Sequence, residues 1–124
     1  MDRRDMLTAM LAMVPILLAE HRLEATKMEE VIPQYGLIGQ ITSQPGKRAE
    51  LIAILKQGTA DMPGNMGYVI GKDSADDNAI WIVEIWATKE DHAASLALPS
   101  VQSAIAQGRP LIAGFGHRFE FKPS

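Results

Sequence analysis

Residues 79–101 read AIWIVEIWATKEDHAASLALPSV, and this stretch decides the fold. Its first part is rich in β-branched and aromatic residues, which predicts a strand over residues 79–86. The residues from Lys89 onwards predict a helix that follows this strand directly. Because side chains alternate along a strand, Glu84 and Trp86 share one of its faces. A buried carboxylate beside an indole is costly without a polar partner, so we expect a pocket on this face.

The composition is that of one folded domain. The chain has 124 residues, of which 47% are hydrophobic and 22% charged, as in ordinary globular proteins. The net charge is −3, and the short basic pairs at residues 3–4 and 47–48 are too small for a phosphate-binding face, so we expect no nucleic-acid partner. The absence of cysteine excludes disulfides, thiol catalysis and cysteine-based metal sites.

The N-terminal segment allows two interpretations. A charged start with Arg3 and Arg4 precedes an apolar run over residues 6–19, a pattern typical of a twin-arginine signal for export to the periplasm. Small residues are missing at the positions where a cleavage site needs them, so an apolar helical arm of a cytoplasmic protein is the alternative. The run is too short for a stable membrane span. We assign residues 1–34 to this segment and its connector, and residues 35–124 to the folded domain.

The rest of the chain predicts alternating strands and helices. Apolar periodicity and Pro/Gly punctuation give the following elements: strands over residues 35–42, 66–72, 79–86 and 115–121, and helices over residues 47–62, 89–98 and 101–107. Pro99 is expected to interrupt the last helical region. The order β-α-β-β-α-β predicts an α+β, ferredoxin-like fold with an antiparallel sheet.

The predicted sheet is apolar on both faces. Val83 and Ile85 point away from the face that carries Glu84 and Trp86, and they are as hydrophobic as the residues expected under the helices. Two helices can cover only one face of a four-stranded sheet. The simplest cover for the other face is the same sheet of a second copy related by two-fold symmetry, so we expect a homodimer.

Five sequence motifs together resemble the antibiotic biosynthesis monooxygenase family, in particular its quinol monooxygenases. They are GLIG (36–39), MPGNMGY (62–68), IVEIW (82–86), SLALPSV (95–101) and GRPLIAGF (108–115). The similarity spans roughly residues 35–122. It implies a dimeric α+β barrel with a cavity between sheet and helices in each subunit. It also implies oxidation of electron-rich phenols or quinols by O₂ without metal or flavin.

One departure from the family pattern affects the site. Ser95 stands where many relatives carry a histidine, and the histidine of this helix is His92, about one turn earlier. Positions three apart lie on the same side of a helix, so His92 can reach the same cavity. The missing histidine at the later position also weakens a haem-binding interpretation.

The candidate catalytic residues are His92 and Glu84. Oxidation by O₂ without a cofactor needs a base near neutral pH, and histidine has a suitable pKa. His117 is the second histidine of the folded part. Either histidine can instead be a solvated surface residue. Glu84 serves as a base if burial raises its pKa, and a structural hydrogen bond to the neighbouring chain is its other interpretation.

Four further residues are candidates for substrate binding: Trp86, Asn65, Tyr68 and Arg109. Each also has a structural interpretation, because an indole can be core, Asn65 suits a turn and Arg109 can pair at a helix end. Trp81, on the opposite face, is expected at the dimer interface. No dinucleotide fingerprint, Ser-His-Asp order or metal-ligand spacing is present in the sequence. We therefore predict no cofactor and no metal.

Two functions from different classes remain. The first is a cofactor-independent monooxygenase that oxidises a small quinol or phenolic aromatic with O₂. The second is a non-catalytic dimeric binding or stress protein that holds a small aromatic ligand in the same cavity. An apolar cavity with a convergent acid/base group favours the first, and one without such a group favours the second.

Overall fold

A computed structural model describes residues 31–124, which form a four-stranded sheet and three helices. The elements, in chain order, are β1 (Tyr35–Ser43), α1 (Arg48–Gly58), β2 (Asn65–Lys72), β3 (Ala79–Trp86), α2 (Lys89–Ser95), α3 (Pro99–Gly108), a 3₁₀ turn (Arg109–Leu111) and β4 (Ile112–Phe121). The predicted ferredoxin-like α+β fold is confirmed. Strand β3 has the bounds that its sequence predicts.

Two predicted helix ends are wrong, and local chemistry explains both. The first predicted helix ends at Gly58 rather than at residue 62, and the Thr59 hydroxyl there donates a hydrogen bond to the Leu55 carbonyl. Pro99 does not interrupt a helix but begins α3, because a missing N–H is harmless in the first turn. The same proline holds Leu98 in an extended conformation, with φ −65° and ψ 136°, so α2 ends before it.

Strand β4 begins three residues earlier than predicted. It starts at Ile112, directly after the 3₁₀ turn, and Ser43 pairs with Ile112 across the sheet. The sequence signal was weak because Ala113 and Gly114 have little strand preference. Pairing with β1 overrides that local preference, with a register shift that accommodates the early start.

The sheet is antiparallel with the strand order β2-β3-β1-β4, so β3 and β1 are central. Tyr35 pairs with Trp86, and Leu37 pairs with Glu84. Pairs directly opposite each other share a face, and the alternation then assigns every other residue. Glu84 therefore lies on the same face as Trp86, as its sequence position predicts.

The helices cover only the face that carries Trp86. Trp86 has no exposed surface and packs with Tyr35 and Met62, while a second cluster centres on Leu51 and Ile80. These residues form the hydrophobic core between sheet and helices.

The opposite face is left open within residues 31–124. Val69 is 61% exposed and Phe119 57% exposed, although both are large hydrophobic residues. Trp81, Val83 and Ile85 are only half-buried on this same face. A second apolar face, as predicted, is therefore present in the structure.

Most of the N-terminal segment lies outside the described residues. Residues 33–124 form one compact unit. The export-signal and helical-arm interpretations fall on residues 1–30, outside the described residues, and the division at residues 34 and 35 stays a prediction. No helix within residues 31–124 is long and apolar enough to cross a membrane.

Candidate active site

A cavity of about 740 Å³ lies between the sheet and the helices. Its walls are mostly apolar and include Leu51 and Leu55 from α1, Ile82 from β3, and Val101 and Ala104 from α3. A cavity of this size and character suits a small organic ligand. The ionisable side chains of residues 31–124 in its wall are four, namely Glu84, His92, Tyr68 and Arg109, and the hydroxyls of Thr59 and Ser95 also line it.

Glu84 projects from β3 into the cavity wall and is partly buried. The Trp86 indole donates a hydrogen bond from Nε1 to Glu84 Oε1 at 3.2 Å, so the carboxylate has a polar partner. Burial raises the pKa of Glu84 above its ordinary value, while this hydrogen bond and the charge of Arg118 oppose the rise. Glu84 therefore combines a raised pKa with a hydrogen bond inside its own strand, and the hydrogen bond to a neighbouring chain stays a prediction.

His92 lies in the first turn of α2, beside Glu84's strand. The Thr88 side chain caps the helix by accepting a hydrogen bond from the Asp91 N–H at 3.0 Å, which fixes where the helix begins. The His92 ring lies 5.4 Å from the Tyr35 ring and 5.5 Å from the Trp86 ring, centroid to centroid. Burial lowers the pKa of His92, which favours the neutral imidazole that can accept a proton.

Ser95, the residue at the family's histidine position, is buried in the cavity wall. Its Oγ donates a hydrogen bond to the His92 carbonyl at 2.6 Å. This bond ties the end of the short helix α2 to the turn that carries His92. The serine therefore supports the backbone of His92.

Tyr68 and Arg109 also line the cavity. Tyr68 pairs with Glu84 across β2 and β3, and burial together with the charge of Glu84 raises the pKa of its phenol, while the Thr59 hydroxyl opposes the rise. The phenol therefore stays protonated as a hydrogen-bond donor. Arg109 follows α3 and is exposed, and no side chain of residues 31–124 forms a salt bridge with it. The helix-end ion pair considered from sequence is absent from this part of the chain.

Two predicted substrate contacts do not line the cavity. Trp86 has no exposed surface and lies outside the cavity lining, where it contacts the lining residues Glu84 and His92. Asn65 donates from Nδ2 to the carbonyls of Gly67 and Ile85 at 3.2 and 3.4 Å, which is the turn role considered from sequence. It borders a separate, smaller cleft of about 310 Å³. Both residues therefore lie outside the lining of this cavity, and their predicted roles in substrate binding stay predictions.

His117 does not converge with the other candidates. Its ring stacks on Trp81 at 6.3 Å between centroids and on Phe119 at 6.0 Å. These partners belong to the open face of the sheet, so His117 lies on the side away from the cavity.

A polar network beside His92 was missed from sequence. Glu120 accepts hydrogen bonds from the Tyr35 hydroxyl at 3.0 Å and from Arg118 Nη1 at 3.1 Å, and Lys89 Nζ lies 3.9 Å from its second oxygen. The charges of Arg118 and Lys89 lower the pKa of His92, and that of Glu120 opposes them. The signal for this network was the alternation along β4. Arg118 and Glu120 alternate with the aromatic residues of that strand and therefore face the helices.

The chain is similar to known proteins in both sequence and structure. The sequence profile for antibiotic biosynthesis monooxygenases matches residues 34–107. A structure from Chloroflexus aurantiacus J-10-fl, named for that family, is 53% identical to this chain, with a TM-score of 0.72. The match covers 73% of this chain and 93% of the other. The chain belongs to the antibiotic biosynthesis monooxygenase family.

More distant structures share the fold of this monooxygenase family. SnoaB from Streptomyces nogalater, described as a cofactor-independent oxygenase, is 18% identical with a TM-score of 0.61, and the match covers 71% of this chain and 90% of SnoaB. A family protein from Caulobacter crescentus CB15 is 17% identical with a TM-score of 0.65, covering 76% of this chain and 92% of the other. No curated protein matches the chain.

The family match and the site overlap only in part. Glu84, His92 and Tyr68 lie inside the matched residues, whereas Arg109 and all of β4 follow residue 107. Within residues 31–124, no group of three or more His, Cys, Asp or Glu side chains is placed to hold a metal ion. The absence of a cofactor stays a prediction.

Proposed function

We propose that the protein is a cofactor-independent monooxygenase that oxidises a small quinol or phenolic aromatic with O₂. One observation carries the proposal: His92 and Glu84 lie in the same wall of an apolar cavity. The lowered pKa of His92 favours its neutral form, and the pKa of the Glu84 carboxyl is raised. An apolar cavity takes an aromatic ring, and a base lets the ring become electron-rich enough to react with O₂. SnoaB, which shares the fold, is described as a cofactor-independent oxygenase.

The proposed reaction draws its electrons from the substrate. His92 takes the proton of a ring hydroxyl, and the resulting anion passes one electron to O₂. The radical pair combines at a ring carbon and forms a C–O bond, giving a hydroperoxide. Loss of the hydrogen on that carbon and cleavage of the O–O bond release water and leave a quinone. One oxygen atom enters the product and the other leaves as water, so O₂ accepts four electrons.

The other groups have supporting roles in this proposal. Tyr68 donates a hydrogen bond where negative charge develops, and Arg109 contacts the substrate at the rim. Glu84 is the second candidate base. Trp86 and Asn65 have indirect roles in this proposal. Trp86 holds Glu84 and His92 in place by its contacts with them, and Asn65 stabilises the start of β2 by its hydrogen bond to the Gly67 carbonyl.

We also propose that the active form is a homodimer joined through the open sheet face. Val69 and Phe119 expose large apolar surfaces there, next to the half-buried Val83 and Ile85. An apolar sheet face of this kind is typical of an interface between protein layers. A second copy fits because a two-fold axis matches the patch with itself.

O₂ consumption with a panel of quinols and phenols tests the proposed function. We expect at least one substrate to consume O₂ without added metal or flavin, and mass spectrometry with ¹⁸O₂ to find one labelled atom in the quinone. Binding of these aromatics with no O₂ uptake would support the non-catalytic binding protein instead. Formation of H₂O₂ with no label in the product would indicate an oxidase.

A further inference from the structure

Gly39 leaves a gap on the helix-covered face of the sheet. By alternation along β1, its side-chain position lies on the same face as Leu37 and Ile41. A Cβ atom built there would meet no other atom of residues 31–124 within 4 Å. Ile41 on the same strand and Ile82, which pairs with Gly39 from β3, both line the cavity. The open position at Gly39 therefore adjoins two residues of the cavity wall.

Neither the backbone nor core packing explains this glycine. The glycines with positive φ are Gly46 and Gly64 among residues 31–124, so Gly39 has a conformation that any residue adopts. A Cβ at Gly36, three positions earlier, would come within 2.3 Å of the Phe121 ring, so there close packing requires glycine. A glycine inside a central strand weakens the strand. What Gly39 leaves among the described residues is open space at its side-chain position.

Arg118 borders this gap from the neighbouring strand. It pairs with Gly39 across β1 and β4, and Glu120 holds its Nη1 at 3.1 Å. The pairing with Gly39 places Arg118 on the helix-covered face, and its charge acts on both Glu84 and His92. A guanidinium has five N–H donors, so Glu120 leaves others for a ligand. A permanently charged group beside this open position suits a planar aromatic anion.

We propose that the aromatic ring of the ligand lies over Gly39 with its ionised oxygen toward Arg118. Gly39 then limits the size of the ring, and Arg118 makes the phenolate the preferred form. This assignment rests on the proposed function for its substrate class, and it names the position and charge state in which the substrate is held. The charged and titratable groups on this side of the sheet and on the helices packed against it include Glu84, His92, Tyr68, Glu120, Lys89, Tyr35 and Arg109.

Binding of 4-nitrophenol tests the place of the ring without any oxidation. The phenolate absorbs visible light, so one titration gives both the dissociation constant and the pKa of the bound phenol. Gly39→Val fills the gap and should weaken binding about tenfold or more. Gly71→Val is the matched control, because Gly71 lies in β2 on the open face with no atom closer than 3.9 Å to its Cβ position.

Thermal melting and light scattering verify that both variants fold and assemble like the wild type. We expect Gly71→Val to bind 4-nitrophenol as the wild type does. Unchanged binding by Gly39→Val, or no binding by the wild type at millimolar concentration, would overturn the proposal.

The charge of Arg118 is tested by the pKa of the bound probe. Arg118→Gln should raise this pKa by about 1, because the opposite charge beside the phenolate is lost. Arg109→Gln and Lys89→Gln each remove another nearby cation, and a larger rise in either variant would overturn the role of Arg118. Wild-type protein that binds the probe in this way but consumes no O₂ with any quinol would refute the proposed function and leave this inference standing.

Discussion

The two faces of the sheet have nearly the same hydrophobicity but different polar content. Under the helices, Glu84 and His92 stand in the wall of an apolar cavity, and each has neighbours that shift its pKa. On the open face, Val69 and Phe119 are exposed, and His117 stacks between aromatic rings there. The pattern of hydrophobic residues alone therefore gives the sheet two apolar faces. The polar residues placed among the apolar ones distinguish the face proposed to carry the chemistry from the face proposed to join two copies.

The largest expected effect comes from a charge on the open face. Val83→Asp or Ile85→Asp should dissociate or unfold the protein, because either change puts a carboxylate in the apolar surface proposed to join two copies. The wild type should be a symmetric dimer that buries more than about 1,000 Å² in total. Light scattering at micromolar concentration measures this.

Lys72→Asp is a control, because Lys72 is an exposed residue at the end of β2. It should leave the dimer intact. A wild type that is monomeric would remove the assembly role of the open face.

A pair of tryptophan variants compares the two faces directly. Trp86→Ala should lower the free energy of unfolding by about 3–5 kcal/mol, because it empties a fully buried position. It should also lower activity through Glu84 and His92. Trp81→Ala removes a half-buried indole whose Nε1 donates to Asp73 at 2.8 Å.

Denaturant melts at several protein concentrations separate the two effects. If the open face joins two copies, the cost of Trp81→Ala depends on protein concentration, whereas the cost of Trp86→Ala persists in the monomer. Equal and concentration-independent costs would contradict the assignment of Trp81 to an interface.

A smaller effect is expected from the charge of Glu84. Burial raises its pKa in the folded state, so the folded protein binds this proton more tightly than the unfolded chain. Stability therefore falls as the pH rises from the ordinary carboxyl pKa through the raised one. Glu84→Gln, which keeps an oxygen for the Trp86 N–H, should melt at a higher temperature than the wild type at pH 7.

The gain should vanish below the ordinary pKa of a glutamate, where the wild type is protonated in both states. The same change at the exposed Glu90 of α2 should give no comparable gain. A Glu84→Gln variant that melts lower than the wild type at pH 7 would show that the ionised carboxylate stabilises the fold.

The sequence predicted the architecture well because alternation and helical spacing are local signals. Strand β3, its Glu84–Trp86 face and the position of His92 after it all follow from residue order. Register is not local, so the pairing of Arg118 with Gly39, and of Tyr68 with Glu84, could not be read from the sequence. The burial of Trp86 beneath the cavity depends on how Tyr35 and His92 cover it, which is a tertiary property.

Quinol-dependent O₂ consumption by two histidine variants tests the central claim, that chemistry belongs to the helix-covered face. His92→Ala should lower the rate by about 10² or more with little change in stability, as expected for the loss of a general base. The wild-type rate should fall at acidic pH as His92 becomes protonated below its lowered pKa. His117→Ala, a matched change on the open face, should keep the wild-type rate in protein that remains dimeric. Full activity of His92→Ala, or a larger loss in His117→Ala, would contradict the account.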